Sequence, residues 1–473
     1  MHISLKHNSR AALLAVALAG LAAAPGCQVV DIDPVTDPNN PSLESVITNA
    51  SQAQLNALAV GVEASLRLGH VNNAPNNTIA GTLGRETFLL ASNEPRWYGE
   101  ILGTRNALDD NGFYSVAAYN GFGRVIRASK VFLASANATA VINDAQKKGI
   151  AGFAHTYEAL GKLQLLMLQG ENGIRTDVDN FLKPGKFVSY AESLTNIRSL
   201  LDQASGELAV AGPAFAFPLS AGYAGFNTPA TFLRVNRALA ARVALYQGDN
   251  AGALTALSGS FYSPTASLTL GPKMTFAPTV AGDASNPYFQ VANGTQTGLS
   301  VVPANFVTEA EAGDLRLAKA PLRTGLSRTL GSIPSTYEVR VFASQTAPLD
   351  IIRNEELILI AAEAKAKTAG RASDAVADIN VIRVRAGGLA PRTDASFTQA
   401  SDYIDEILKQ RRYSLFFEGH RWFDLRRLGR FTPTPAPGQT LAYSTGGNAA
   451  GTFKLFDRLE RPFAEKQWDI ANP

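Results

Sequence analysis

The sequence predicts a mostly α-helical protein in which helix pairs are interrupted by long irregular loops and short strands. Two observations predict this fold class: amphipathic helical patterns that end at glycine recur at three places, and long segments rich in Gly, Pro, Ser and Thr lie between them. The chain has 473 residues, 46% of them hydrophobic and 18% charged, so its composition is that of an ordinary globular protein with a core of its own.

The three helical patterns share one form, in which an amphipathic helix is followed by a short break containing glycine and usually by a second helix. They lie in AHTYEALGKLQLLMLQGENG, ATFLRVNRALAARVALYQGDNAGALTAL and RNEELILIAAEAKAKTAGRASDAVADINVIRVRAGG. Gly248 is expected to close the helix of the second pattern. In the third, Gly370 ends the first helix and Ser373 caps the next. Glu363 and Lys367 form an i,i+4 pair on the polar face of that first helix.

Small residues at the contact faces let two helices pack closely, which favours a tetratricopeptide-like scaffold of helix pairs. The three patterns are unevenly spaced, so a regular solenoid is not expected, and an unrelated helical bundle is the alternative.

A further helix is predicted to begin at Ser42 and to run through SVITNASQAQLNALAVGVEASLR. Residues 206–230 and 258–350 are predicted to be loop and short-strand excursions that build a ligand face.

The N-terminus is predicted to be a secretory signal, residues 1–26, because a basic start precedes the apolar run AALLAVALAGLAAAPG, which is too short to span a membrane. Cys27, the single cysteine, follows small residues and resembles the lipid-modified first residue of a bacterial lipoprotein. A secreted free cysteine is the alternative. Residues 27–41 are expected to be an extended tether, and residues 42–473 a single folded domain.

Charge argues against nucleic-acid binding. Removal of the signal takes away Lys6 and Arg10 and no acid, so the formal net charge falls from +3 to +1. A nearly neutral chain lacks the basic surface that phosphate backbones require. The arginine-rich stretch RRYSLFFEGHRWFDLRR, residues 411–427, also contains acidic residues, and its arginines spread around the helix.

The same stretch does not have the pattern of a catalytic site. Glu418 and His420 are two residues apart and point to different faces of a helix. No nucleophile elbow, phosphate loop or zinc-ligand spacing is present, although paired carboxylates for glycoside hydrolysis need only meet in space. We interpret the stretch as architecture, in which Gly419 makes a tight turn, HRWFDLRRLG starts a short helix, and arginines pair with nearby acids.

The stretch ILKQRRYSLFFEGHRWFDLRRLGR resembles the C-terminal signature of the SusD/RagB family. The matching positions are Arg412, Phe417, Glu418, Gly419, Arg421, Asp424, Leu425, Arg427 and Gly429. The block RNEELILIAAEAKAKTAGRASDAVADINVIRVRAGG and the tail RLERPFAEKQWDIANP are similar to further blocks of the family, with Phe463 in place of the usual Ile. The resemblance is strongest over 350–473 and loose over 60–350.

This resemblance implies a SusD-like domain whose signature region, 350–473, is structural and whose ligand face lies in the preceding part, 42–349. It implies a lipoprotein at the surface of the outer membrane that captures an oligomeric nutrient, most often an oligosaccharide. It also implies delivery to a SusC-like TonB-dependent barrel, without enzymatic activity. Capture of oligopeptides, and a surface scaffold that binds proteins through its helical repeats without a small ligand, are the alternatives.

Two aromatic clusters are candidate ligand contacts, because sugar faces stack on aromatic rings and hydroxyls bond planar polar groups. The first comprises Asn93, Arg96, Trp97 and Tyr98, and the second Asn286, Tyr288 and Phe289. Well-capped loops contain the same residue types, so a structural role stays open for both. No cofactor or metal site is expected, while loop carboxylates and carbonyls leave calcium binding open.

Overall fold

The computed structural model describes residues 43–105, 107–280, 283–325, 329–330, 333–432 and 453–473. The predicted signal peptide, Cys27, the tether and the Ser42 cap lie outside these residues. Residues 47–473 form one compact unit, and only the last four residues of the other unit, residues 1–46, are described. Within the described ranges, no helix is both long enough and apolar enough to cross a membrane.

Helices dominate the described residues. The α-helices are α1 Leu43–Asn49, α2 Gln52–Val71, α3 Asn76–Leu83, α4 Phe113–Ala138, α5 Asp144–Gln169, α6 Tyr190–Ala209, α7 Pro229–Gln247, α8 Asn250–Ser258, α9 Ala304–Thr308, α10 Asn354–Ala366, α11 Ala375–Arg385, α12 Ala400–Ser414, α13 Arg421–Arg427 and α14 Phe463–Ala471. Successive helices pack side by side: α4 against α5, α5 against α6, α6 against α7, α7 against α8, and α10 against α11. The predicted fold class, a mostly α tetratricopeptide-like scaffold with loop and short-strand excursions, is confirmed.

Short strands lie in the excursions between the helices. They are β1 Phe88–Leu90, β2 Ile174–Arg175, β3 Phe187–Val188, β4 Lys273–Met274, β5 Leu299–Val302, β6 Thr329–Leu330, β7 Ile333–Pro334, β8 Tyr337–Glu338 and β9 Leu349–Asp350. Strands β1, β5 and β8 form an antiparallel sheet with β5 in the middle, and β2–β3, β4–β9 and β6–β7 pair separately. The β1–β5 pair joins segments about two hundred residues apart in the chain and carries the candidate site described below.

Local chemistry sets the helix ends. The Thr228 hydroxyl accepts a hydrogen bond from the Thr231 N–H, and Pro229 occupies the first turn of α7, where its missing N–H is not needed. Gly248 ends α7 with φ of 76°, a left-handed conformation that glycine adopts without strain. The prediction that Gly248 closes this helix is confirmed.

The helix predicted to run unbroken from Ser42 is divided into α1 and α2, and that prediction was wrong. Ser51 is the cause, because it forms a capping box with Gln54. The Ser51 hydroxyl accepts from the Gln54 N–H at 3.3 Å, and the Gln54 side chain accepts from the Ser51 N–H at 2.8 Å. This reciprocal pair starts a new helix in the middle of an otherwise helical pattern.

Helix α10 differs from its predicted amphipathic form. The Glu363–Lys367 pair is present at 2.7 Å, but Glu363 is fully buried, because α10 is enclosed by α8, α11 and α12. The next helix is not capped by Ser373, which lies inside a 3₁₀ turn, Ala372–Asp374, that leads into α11. Periodicity alone identified the helix, but it did not reveal that neighbours surround it.

Glycine allows α5 and α6 to approach closely. A Cβ atom at Gly152 of α5 would lie 2.5 Å from Leu208 Cγ and 3.0 Å from the Ala204 carbonyl oxygen, both in α6. By contrast, a Cβ atom at Gly206, also in α6, would meet nothing within 4 Å. Alanine substitutions at the two glycines therefore distinguish the effect of the helix–helix contact on stability from the effect of helix propensity.

We expect Gly152→Ala to lower the free energy of unfolding by about 1–3 kcal/mol, because the added methyl overpacks the contact. Gly206→Ala, the matched control, should be neutral or stabilising by roughly 0.5–1 kcal/mol, because alanine favours a helix interior. Denaturant unfolding of both variants measures the difference. Equal effects of the two substitutions would show that α5 and α6 do not pack as described.

Candidate ligand-binding site

A cavity of about 300 Å³ lies beside the β1–β5 pair, near the start of α3 and the loop that precedes β5. It is lined by Pro75, Thr78, Leu89, Trp97, Pro287, Tyr288, Phe289, Gln290, Gln296, Thr297, Gly298 and Ser300. The cavity thus brings Trp97 of the first predicted cluster together with Tyr288 and Phe289 of the second. The two clusters were predicted from the sequence as separate candidates.

Strand alternation explains how the sheet contributes to this cavity. Leu89 of β1 pairs in register with Ser300 of β5, and both line the cavity. Successive side chains of a strand point to opposite faces, so the flanking residues belong to a small apolar cluster on the other side. That cluster contains Phe88, Leu90, Leu102, Leu299, Val301, Ile333 and Phe453. The sheet is therefore anchored on one face and open to the cavity on the other.

Trp97 is a wall of the cavity and does not present an open stacking face. The residue starts a π-helical turn, Trp97–Ile101, and only 6% of its surface is exposed. Its ring packs against Phe113 with a centroid distance of 5.5 Å. Replacing such a buried tryptophan by alanine would disturb the core as well as any ligand contact.

Tyr288 and Asn286 are engaged in holding their loop. The Tyr288 hydroxyl donates to the His70 carbonyl at 2.5 Å and accepts from the Asn77 N–H at 3.2 Å. Burial raises the pKa of Tyr288 above its usual value. Asn286 Oδ1 accepts from the Tyr288 N–H at 2.9 Å, and the Tyr288 ring meets Phe417 edge-on at 5.5 Å. These contacts fix the position of the neighbouring Phe289, which is half-buried and lines the cavity.

The other members of the first predicted cluster lie outside the lining. Asn93 is exposed, and Tyr98 is half-buried beside the small apolar cluster. Arg96 donates from Nε and Nη2 to the Glu94 carboxylate at 2.8 and 2.6 Å, and its guanidinium lies 4.8 Å from the centroid of the Phe113 ring. Hydrogen bonding from Arg96 holds the pKa of Glu94 below its usual value. The guanidinium of Arg96 is therefore already occupied within its own loop.

The amide and hydroxyl residues of the lining were not among the residues predicted from the sequence. The Gln290 side chain bonds to the backbone of β5 and of the residue after β8. Its amide nitrogen donates to the Ser300 and Val339 carbonyls at 2.8 and 2.9 Å, and its amide oxygen accepts from the Ser300 N–H at 3.0 Å. Gln296 and Thr297 are exposed. They lie in the polar turn NGTQTG, whose flanking glycines were the only available signal.

The turn between α12 and α13 contacts Tyr288, one of the residues that line the cavity. Phe417 adopts a left-handed conformation with φ of 63°, and its N–H donates to Glu86 Oε2 at 3.0 Å. Asn77 Nδ2 donates to the Phe417 carbonyl at 2.9 Å, which links the turn to α3. Gly419 lies in the same turn with φ of 83°. Two left-handed residues within three positions reverse the chain tightly, and Phe417 then contacts Tyr288.

Buried ion pairs hold this turn in place. Arg411 Nε donates to Asp424 Oδ2 at 2.6 Å, and Arg427 forms two bonds of 2.5 and 2.6 Å to Glu363. Arg427 Nη2 also donates to Asp424 Oδ1 at 2.8 Å. Burial raises the pKa of Glu363, but the charge and hydrogen bonds of Arg427 outweigh burial and bring the pKa to about 2. These carboxylates are therefore ionised at neutral pH and paired.

The remaining signature residues have similar partners. Arg412 pairs with Glu309 at 2.5 Å, and Glu418 pairs with Arg353 at 2.7 Å. Arg421 is buried, and burial lowers its pKa to about 9. This arrangement is that of a scaffold, in which each charge is used within the fold.

The two glutamates that border a smaller cavity near this turn are each bound by an arginine. Glu418 and Glu356 border a second, smaller cavity of about 80 Å³ together with His420. Arg242 binds Glu356 through two bonds of 2.6 Å and, against the effect of burial, brings its pKa to about 2. Glycoside hydrolysis needs one carboxylic acid with a raised pKa, whereas the pKa of Glu356 is lowered. No group of three or more metal-ligating His, Cys, Asp or Glu side chains occurs in the described part of the chain.

The chain is similar to known proteins in part of its sequence and in its fold. Residues 337–470 match the model of the SusD family. Surface glycan-binding protein A of Bacteroides thetaiotaomicron has a similar structure, with a TM-score of 0.66 and 15% identity over 90% of this chain and 98% of that one. Its counterpart from Bacteroides uniformis gives a TM-score of 0.66 and 14% identity over 89% and 99%.

A SusD superfamily protein from Parabacteroides distasonis gives a TM-score of 0.64 and 16% identity over 89% of this chain and 98% of that one. The search of curated protein sequences gave no match. Residues 337–470 therefore match the family that the C-terminal signature resembles, and the described residues share the fold of these solved structures.

Glu86 should make stability depend on pH. Burial raises the pKa of this carboxyl to about 8, although the Phe417 N–H and the charges of Arg421 and Arg412 act in the opposite direction and Glu418 adds to the rise. Its Oε1 has no hydrogen-bond partner among the described residues. The folded state therefore holds a proton that the unfolded state releases near pH 4.5. The resulting stabilisation is complete below that pH and is lost as the pH rises to about 8.

We expect Glu86→Gln to remove a slope of up to about 1.4 kcal/mol per pH unit between pH 5 and 8, because glutamine preserves the neutral form. Denaturant unfolding of wild type and variant across this range measures the slope. Glu94→Gln is the control: the pKa of Glu94 is lowered, so this substitution should leave the slope between pH 5 and 8 unchanged. Parallel curves for wild type and Glu86→Gln would contradict the assignment.

Proposed function

We propose that this protein is a cell-surface lipoprotein that captures an oligosaccharide and delivers it to a TonB-dependent transporter in the outer membrane. The observation that carries the proposal is the 300 Å³ cavity with aromatic and amide residues, on a SusD-like scaffold. The names of two structural neighbours, surface glycan-binding proteins, support a glycan as the ligand. The signal sequence and Cys27 support the lipid anchor.

The chemistry of the lining suits a sugar. Phe289 offers a half-buried ring for stacking, and the exposed side chains of Thr297 and Gln296 carry groups that can bond sugar hydroxyls. The volume lies at the lower end of the range for small-molecule sites, roughly 300–1,000 Å³. A cavity of this size accommodates one or two sugar rings, so the rest of an oligomer would extend along the protein surface.

Phe289→Ala should weaken binding of the oligosaccharide about tenfold, because one stacking contact is worth up to about 1.5 kcal/mol. Phe181→Ala is a matched control, since Phe181 is also partly exposed, 39%, and does not line the cavity. Titration calorimetry against a panel of oligosaccharides and oligopeptides measures both affinities. Binding of peptides alone would favour the oligopeptide alternative, and equal affinities for the two variants would remove this cavity from the proposal.

The transporter is tested by gentle solubilisation of the native outer membrane and purification of the tagged protein. We expect a large β-barrel protein to co-purify in nearly equal amounts. Cys27→Ser should release the protein from the membrane, because the serine hydroxyl does not accept the thioether-linked lipid. Recovery with a soluble protein in place of a barrel would favour the scaffold alternative, and recovery alone would contradict the delivery step.

A further inference from the structure

The lining of the candidate cavity carries no side chain that is charged at neutral pH. Its polar groups include the amide of Gln296 and the hydroxyls of Thr78, Thr297 and Ser300. The Gln290 amide and the Tyr288 hydroxyl also line it but already bond within the fold. Two other pockets differ in this respect. A pocket of about 210 Å³ beside α2 is lined by Glu63, Arg67 and Lys273 among others, and the 80 Å³ cavity is lined by several ionised residues. The neutrality is thus a property of this cavity and not of every pocket in the protein.

Charged groups near the cavity are paired with other groups of the protein. Arg96 is bound by Glu94 through two hydrogen bonds and lies outside the lining. Arg340 donates from Nη1 to the Gln290 carbonyl at 2.8 Å, and Glu338 faces Arg323 at 3.4 Å. An acidic ligand in the cavity would therefore find no unpaired arginine or lysine among the lining residues.

We propose that the cavity accepts uncharged sugar residues and rejects acidic ones such as uronic or sialic acids. The inference rests on the proposed function and specifies its substrate class. A carboxylate that leaves water for a cavity without a counter-charge loses strong hydration that neutral hydrogen-bond donors replace only in part. A neutral sugar loses only the hydration of hydroxyls, which amide and hydroxyl groups can bond in its place. The cavity would thus discriminate by binding acidic sugars poorly, and it needs no special contact to neutral sugars.

The test compares one glycan in two charge states. A neutral oligosaccharide that the purified full chain binds, chosen from a panel of hexose oligomers, is oxidised at its primary alcohols to carboxylates and measured again by calorimetry. We expect at least a hundredfold loss of affinity upon oxidation. Equal or stronger binding of the oxidised form, or of uronic-acid oligomers in the panel, would overturn the inference and leave the proposed function standing. Failure of every glycan to bind would overturn both.

Substitution of an exposed lining residue provides a second measurement. Thr297→Arg introduces the missing counter-charge, and Thr297→Gln is the control of similar reach without charge. The arginine variant should bind the oxidised glycan at least tenfold more tightly than the wild type does. This gain in affinity should shrink as the salt concentration is raised. The glutamine variant should recover none. Equal recovery by both variants would show that charge is not what excludes the acid.

Discussion

A buried network of arginines and carboxylates is the constraint on which the rest of the structure depends. It joins α10, α12 and α13 through Glu363, Arg411, Asp424 and Arg427, with bonds of 2.5 to 2.8 Å. An unpaired ion in the interior is unfavourable by several kcal/mol, so separating any member of this network from its partners costs about that much. The planar guanidinium of Arg427 also fixes the angle at which Glu363 approaches, because both of its bonds must lie in one plane. Three helices are thereby held in one relative arrangement.

The network acts on the candidate site through the turn between α12 and α13, whose two helices it joins. Phe417 has a left-handed conformation between α12 and α13, where its ring contacts Tyr288 and its carbonyl accepts a hydrogen bond from Asn77 of α3. One side of the cavity is therefore coupled to the most constrained part of the fold. The other side is the turn around Thr297, which is joined to β1 by the bond from the Gly298 N–H to the Leu90 carbonyl. Residues of that turn can change the chemistry of the cavity without disturbing the ion pairs.

The sequence predicted those parts of the fold whose signals are local. Gly248 ends its helix because glycine alone adopts that conformation freely, and the Glu363–Lys367 pair follows from spacing. The site could not be predicted in the same way. Asn286 and Tyr288 resemble a sugar contact, yet the Tyr288 hydroxyl bonds to His70 and Asn77, more than two hundred residues away. Asn286 donates to the Ala347 carbonyl.

An aromatic residue beside an asparagine has the same pattern in an anchored loop as in a binding site, and only the distant partners distinguish the two. The Leu89–Ser300 pairing that creates the cavity is likewise a contact between distant segments, and neither residue stands out in the sequence.

In the proposed function, the limited chemistry of the cavity has a consequence for delivery. One half-exposed ring and a few hydrogen bonds of about 0.5–1.5 kcal/mol each give a single sugar a weak, micromolar to millimolar affinity. A longer neutral oligomer would gain affinity through contacts outside the cavity. A weakly held ligand also dissociates quickly, because differences in affinity appear mainly in the dissociation rate. A binding protein that passes its ligand to a transporter requires rapid release, and a small uncharged cavity provides it.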